Sequence, residues 1–330
     1  MVPGPGETIR SDDYHTAGEP FRIVDAGPME GTTVLDRRSW AVEHLDDLRR
    51  FLVGEPRGHA DMYGGFVVPA DDDRGDLGVV FFHNHGFSTA CGHGTIALVT
   101  WAIDTGLIVA QGHRIPVVVD VPSGRLPTEA TLAEGRVASV RFTNVPAFVT
   151  AVGVEVDTSL GPVTLDVSFG GAFYASVAVD ELPVSVAAEH LGELVAVDRE
   201  VRAATSGAAF AEHPDDDRLS GVYGTVFHET VGGNPLHQRN VTVFADGQVD
   251  RSPCGSGTSA RLALLHQAGL LAVGDEFCHD GIVGGRFLAR IEEETPAGVV
   301  TSVEGSAHRH ATTTFHLDPH DPLGAGFLLQ

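Results

Sequence analysis

Two stretches hold the residues best suited to chemistry. Residues 90–108 read ACGHGTIALVTWAIDTGLI, and residues 253–271 read PCGSGTSARLALLHQAGLL. Setting Cys91 on Cys254 repeats C-G-x-G-T, and a glycine falls fifteen residues after each cysteine, Gly106 in one copy and Gly269 in the other. The copies lie 163 residues apart, almost half the chain, which marks a duplicated domain rather than a local coincidence. Each cysteine follows loop text and precedes an apolar run, so each is expected at a helix N-terminus. Such an end presents unpaired N–H groups and a partial positive charge, which lowers a thiol pKa and receives a carboxylate. Two such ends, each with a thiol, could address one small anionic ligand from two sides.

Simpler readings compete at each position. A lone Cys91 reads as a buried small residue, since free cysteine is among the most buried types, and the match with Cys254 is what argues against that. His83, His85, Cys91 and His93 fall within eleven positions and are all zinc-ligand types, but the second half has no comparable set, so no metal is assigned. His83 and His85 then read as solvated or edge histidines. Cys278, in GDEFCHDG, has no partner motif and reads as structural. In HTAGEP, His15 and Glu19 either line the site or merely flank the turn that Gly18 and Pro20 make. The runs Asp71 to Asp73 and Asp215 to Asp217 read as solvated loops.

The elements that must position the two motifs recur as well. Strand text at 18–24 is loosely mirrored at 171–177, and an amphipathic helix over 40–53 has a counterpart at 186–204. GVVFF (78–82), RIPVVVDV (114–121), VASVRFTNV (137–145) and NVTVF (240–244) read as strands. Each half therefore reads as hairpin, helix, strands, cysteine helix, strands, an α/β (α+β) pattern in two domains, as 330 residues allow.

Composition narrows the function further. With 42% hydrophobic and 20% charged residues the chain is of globular type. The balance of 21 basic to 45 acidic residues gives a formal charge of −24, unfavourable for nucleic acid or an anionic membrane surface. All 21 basic residues are arginine. Without a lysine there is no pyridoxal phosphate Schiff base and no Walker A phosphate clamp. No apolar run approaches the roughly 20 residues of a membrane span, and MVPGPGETIRSDDYH lacks a basic start followed by an apolar core. Three cysteines are too few and too odd for a disulfide framework, so a reducing, cytoplasmic setting is expected.

These motifs resemble the proline racemase family, which comprises proline racemases, 4-hydroxyproline 2-epimerases and trans-3-hydroxy-L-proline dehydratases. The resemblance spans HTAGEPFRIV (15–24), EPRGHADMYG (55–64), CGHG (91–94), SFGGAFYA (168–175), VFADGQVDRSPCGSGTSA (243–260) and DPLGAGFLL (321–329). It implies two pseudo-symmetric domains of diaminopimelate-epimerase-like fold, strands wrapped around a central helix in each, with the active site in the cleft they share. The expected boundaries are 1–147 and 148–317, with a tail from about 318 to 330 returning to the first domain. By the same resemblance Cys91 and Cys254 are the acid and base, Gly92, His93, Asp250, Gly255 and Ser256 contact the substrate, and Asp250 pairs with its ring nitrogen. The implied activity is cofactor-independent inversion at Cα of proline or hydroxyproline, and a homodimer is compatible with it. SFGGAFYA, EPRGHADMYG and EHPDDDRLSGVYGT look more like the dehydratase branch, whereas Cys254 stands where dehydratases typically carry threonine. The second thiol decides for the epimerase, with the dehydratase as the alternative. A zinc-binding or non-catalytic amino-acid-binding protein ranks below both.

Overall fold

The computed structural model describes residues 7–180 and 182–329. The first six residues, part of the N-terminal stretch read above, lie outside them. Contacts divide the chain into one unit that runs to Val140 and resumes at Ser306, and a second unit, Arg141–Gly305.

In the first unit, β1 (Thr8–Thr16) and β2 (Glu19–Val24) form an antiparallel hairpin. Helices α1 (Val34–His44) and α2 (Asp46–Val53) lead to β3 (Tyr63–Val68), which lies parallel to β2. Next come β4 (Leu77–His83), β5 (Gly86–Phe87), α3 (Gly92–Asp104), β6 (Arg114–Val121) and β7 (Gly124–Ala133), with β6 parallel to β4. Strand β8 (Arg136–Thr143) carries the chain across the boundary.

The second unit repeats this order. A hairpin of β10 (Gly161–Phe169) and β11 (Phe173–Ala178) follows β9 (Phe148–Thr158). Helix α4 (Leu191–Thr205) leads to β12 (Val222–Gly233), parallel to β11. Strands β13 (Leu236–Phe244) and β14 (Gln248–Asp250) precede α5 (Gly255–Gln267), and β15 (Glu276–Gly281), parallel to β13, continues into β16 (Arg286–Thr295) and β17 (Gly298–Gly305). The chain then re-enters the first unit as β18 (Ala307–His316), antiparallel to β1.

Hairpin, helix, strands, cysteine helix and strands thus recur in both units. The strands read from sequence fall in β4, β6, β8 and β13. Several boundaries differ from the expected ones, the first being the division between the units, which falls after Val140 rather than after residue 147. The return begins at Ser306 rather than near 318, because residues 307–316 form a full ladder with β1. The amphipathic run at 40–53 is two helices, interrupted at Leu45, whose φ −118° and ψ 9° are not helical.

Helix α3 is buried on all sides from Gly92 to Thr100, as a helix enclosed by strands must be. It packs against β1, β2, β3, β7 and β18, and α5 likewise against β9, β10, β11, β16 and β17. Outside α3 in the first unit, a second apolar layer joins Phe51 and Leu52 of α2 to Phe66, Val80 and Phe82.

One residue breaks the apolar face of α4. Asp198 is fully buried beside Leu194, Val197 and Val201, and neither carboxyl oxygen makes a hydrogen bond of ordinary geometry. Burial raises its pKa to about 7, with Thr225 and Arg202 offsetting part of that cost. A carboxyl held more tightly protonated when folded than when unfolded loses stability as pH rises from about 4 to about 7. Asp198→Asn removes the charge and keeps the shape, so it should stabilise the protein at pH 8 by roughly 2 to 4 kcal/mol and change little at pH 4. Urea unfolding at the two pH values checks this, and equal effects at both would refute the buried-charge account.

Candidate active site

Both cysteines cap a helix, as their motif predicts. Cys91 is the N-cap of α3, with φ −157°, and its Sγ accepts the Gly94 N–H at 3.3 Å. Cys254 is the N-cap of α5. Each motif's second glycine is explained by the sulphur it faces. A Cβ on Gly94 would sit 2.7 Å from Cys91 Sγ and 2.4 Å from the Phe21 ring, and one on Gly257 would sit 3.0 Å from Cys254 Sγ. The thiol can fold back over the first helical turn only where that Cβ is missing. Gly92, His93, Gly255 and Ser256 follow their cysteines as the first residues of each helix, the end at which a helix carries its partial positive charge.

Around Cys91, the His93 ring is buried, with both nitrogens 3.5 Å from Sγ. Burial lowers its pKa to about 3, so the imidazole is neutral and brings no positive charge to the sulphur, and with its one N–H given to the Pro20 carbonyl its other nitrogen can only accept from the thiol. The ring is set edge-on against Tyr63 at 5.0 Å and Phe21 at 5.8 Å. The HTAGEP turn holds this motif in place. Thr16 Oγ1 donates to the His93 carbonyl at 2.9 Å, and the Pro20 backbone hydrogen-bonds the His93 ring.

Around Cys254 the surroundings are anionic and hydroxylic. Asp250 is buried and accepts the Ser252 N–H at 2.8 Å, while Ser252 Oγ accepts the Cys254 N–H at 3.1 Å. Burial raises the Asp250 pKa against the pull of Ser252 and Arg251. The Cys254 thiol is also pushed up, first by burial and then by the Asp250 charge, and the Gly257 N–H, Tyr174 and Thr242 draw it partly back. Tyr174 Oη lies 3.7 Å from Sγ and 2.7 Å from Ser256 Oγ. A thiol and a buried carboxyl at one helix start form a place for a zwitterion, whose cationic nitrogen would meet Asp250 while its carboxylate met the helix N–H groups.

A family model described as proline racemase matches residues 12–328. The chain belongs to the proline racemase family. It is 42% identical over 332 residues to a 3-hydroxyproline 2-epimerase of Burkholderia multivorans, covering 98% of each chain. It is 40% identical over 323 residues to a trans-3-hydroxy-L-proline dehydratase of Bacillus cereus, covering 96% of this chain and 97% of the relative. Among solved structures, a hydroxyproline epimerase from Agrobacterium vitis with bound trans-4-hydroxy-L-proline matches at TM-score 0.91 and 30% identity, over 98% of this chain and 95% of that one. A predicted epimerase of Pseudomonas aeruginosa, 17% identical, shares the fold at TM-score 0.59. The fold class that the family resemblance implies, two epimerase-like α/β domains, is therefore the fold of this proline racemase family member.

Other residues singled out in the sequence fall elsewhere in this family member. His83 is not solvated. Its side chain is buried against Tyr63, with ring centroids 5.4 Å apart, and its Nδ1 accepts the His85 N–H at 3.2 Å, while His85 itself is exposed. Among the described residues no group of three or more His, Cys, Asp or Glu is placed to hold a metal ion. Cys278 lies in β15, paired with Leu288 and His237. Tyr174, within SFGGAFYA, carries no sequence signal that marks it as a neighbour of the sulphur. Its hydroxyl meets a cysteine 80 positions along the chain, and strand alternation reveals a buried face without revealing what the side chain's tip touches.

Proposed function

We propose that the protein is a cofactor-independent epimerase that inverts Cα of proline or a hydroxyproline, with Cys91 and Cys254 as its acid–base pair. The observation that carries this reading is the second thiol, Cys254, held at a helix start beside the buried carboxyl of Asp250. Inversion needs a base on one face of Cα and an acid on the other. One cysteine takes the Cα proton as thiolate, the other gives its thiol proton to the opposite face, and the enzyme is left with the two protonation states exchanged. The charge that develops on the substrate carboxylate is met by the first N–H groups of α3 and α5, oriented before the reaction begins. Asp250 receives the ring nitrogen, and Gly92, His93, Gly255 and Ser256 supply the remaining contacts.

Dehydration of trans-3-hydroxy-L-proline is the second reading, favoured by the dehydratase relative and by the SFGGAFYA text. In that case one base removes the Cα proton and the 3-hydroxyl leaves as water, giving an enamine that becomes a cyclic imine. Incubating the protein with L-proline, trans-4-hydroxy-L-proline and trans-3-hydroxy-L-proline in D2O separates the two. The expected result is deuterium at Cα in an inverted product from at least one of them. Cyclic imine from the 3-hydroxy compound, with no inverted product from any of the three, would replace epimerase by dehydratase.

A further inference from the structure

The two cysteines occupy the same step of the repeat but are held by different chemistry. Cys91 has extended backbone and a neutral imidazole at its sulphur. Cys254 has φ +60°, in the left-handed region that a non-glycine residue enters at a cost, and, with Thr242 also acting on it, the hydroxyls of Tyr174 and Ser256 stand near its sulphur. The nearer belongs to Tyr174 at 3.7 Å, and Ser256 Oγ is 3.9 Å away. The tyrosine has little freedom to be anywhere else. It is buried in β11, edge-on to Tyr223 at 5.9 Å, which in turn stacks on Phe244 at 5.5 Å, and Ala172, Val226 and Ala260 close the cluster around the sulphur.

We propose that Tyr174 is a positioning residue for Cys254, coupled to it through a reversible pair of hydroxyl hydrogen bonds with Ser256. Each hydroxyl both donates and accepts. When Cys254 is a thiolate, Ser256 donates to Tyr174 Oη and Tyr174 donates to the sulphur. When Cys254 is a thiol, its S–H points to Tyr174 Oη and Tyr174 donates to Ser256 instead. The reversal needs only two O–H rotations and transfers no proton between the oxygens. A residue that must serve as base in one direction and acid in the other is thereby hydrogen-bonded in both states. The phenol remains protonated throughout, since burial raises its pKa well above the ordinary value.

The groups facing Cys254 differ in sign. Asp250 opposes the thiolate, while Tyr174, Thr242 and the Gly257 N–H favour it, with Tyr223 behind Tyr174 and Arg251 behind Asp250. A hydrogen bond to an ionised acceptor is about twice as strong as one to a neutral acceptor, so Tyr174 weighs on the ionisation as well as on the geometry.

This inference rests on reading Cys254 as acid–base catalyst, and its test separates the two. In Tyr174→Phe the ring and its packing stay and only the hydroxyl goes. The rate of iodoacetamide alkylation of Cys254 in the intact protein, followed at pH 8.5 by mass analysis of its peptide, should fall about tenfold, the equivalent of one pKa unit. The substitution opens space beside the sulphur, so a slower rate cannot come from blocked access. Where turnover is measured, kcat should fall about tenfold with KM nearly unchanged. An unchanged alkylation rate overturns the proposal, and a raised KM for a hydroxylated substrate alone would assign Tyr174 to substrate recognition instead. Ser256→Ala, should Tyr174→Phe not fold, is expected to slow alkylation in the same direction. If no proline is turned over at all, the alkylation rates still decide the role of Tyr174.

Discussion

Cys254→Ser should lose inversion by a hundredfold or more, in both directions equally, while keeping exchange of the Cα proton from one enantiomer only. A serine hydroxyl is a far weaker acid than a thiol, and a positioned general acid or base contributes roughly a hundredfold to ten-thousandfold. Both directions of an inversion cross the same barrier, so the equilibrium constant forbids a one-sided loss of kcat/KM. The asymmetry can appear only in exchange, because Cys91 can still remove the proton it faces and return one from solvent. Cys91→Ser should show the mirror pattern, with exchange surviving in the other enantiomer, and Cys278→Ser should show no effect. The measurement is deuterium incorporation from D2O into each enantiomer separately, alongside polarimetry for inversion. Full inversion in both directions by Cys254→Ser would defeat the two-thiol mechanism and return the dehydratase reading, with Cys91 as sole base.

Asp250→Asn should move two observables in opposite directions. Turnover is expected to fall about a hundredfold or more, as when one partner of a buried, hydrogen-bonded charge pair is removed. The free protein, however, should alkylate faster at Cys254, because the Asp250 carboxylate is one of the groups that pushes this thiol up. On the proposed reading, a cationic ring nitrogen arriving at Asp250 would offset the charge that suppresses the thiolate, so that substrate binding would itself favour ionisation of Cys254. Parallel kinetics and iodoacetamide alkylation at pH 8.5 check both arms. Slower alkylation in Asp250→Asn would show that the carboxylate supports the thiolate rather than opposing it.

The cysteine motif was legible because its constraint is local. C-G-x-G-T places the cysteine, its helix start and the glycine under the sulphur within five residues, and the duplication shows that constraint twice. The order of elements was legible for the same reason, since the amphipathic and β-branched runs recur at one offset. What stayed hidden depends on partners distant in sequence. Tyr174 reaches Cys254 across 80 positions, and Thr16 reaches the His93 carbonyl across 77. The return strand AHRHATTTFH has a largely exposed, polar pattern, and only its pairing with β1 shows that it belongs to the first unit. His83 reads as polar and solvated, yet the strand that carries it is buried along its whole length.

The pairing of β1 with β18 bears on how the chain is made. The second unit is continuous in sequence, so all of its strands are made before β18 is. The first unit begins earlier and finishes later. From the moment β1 emerges until residues 307–316 follow, one edge of that strand lacks its partner, and an open edge is a template for pairing with another chain. Synthesis at about 5 to 20 residues per second makes that interval, over some three hundred residues, roughly fifteen seconds to a minute. The segment most exposed to misassembly during biogenesis is therefore the hairpin that anchors the first cysteine motif, and the last strand made is the one that seals it.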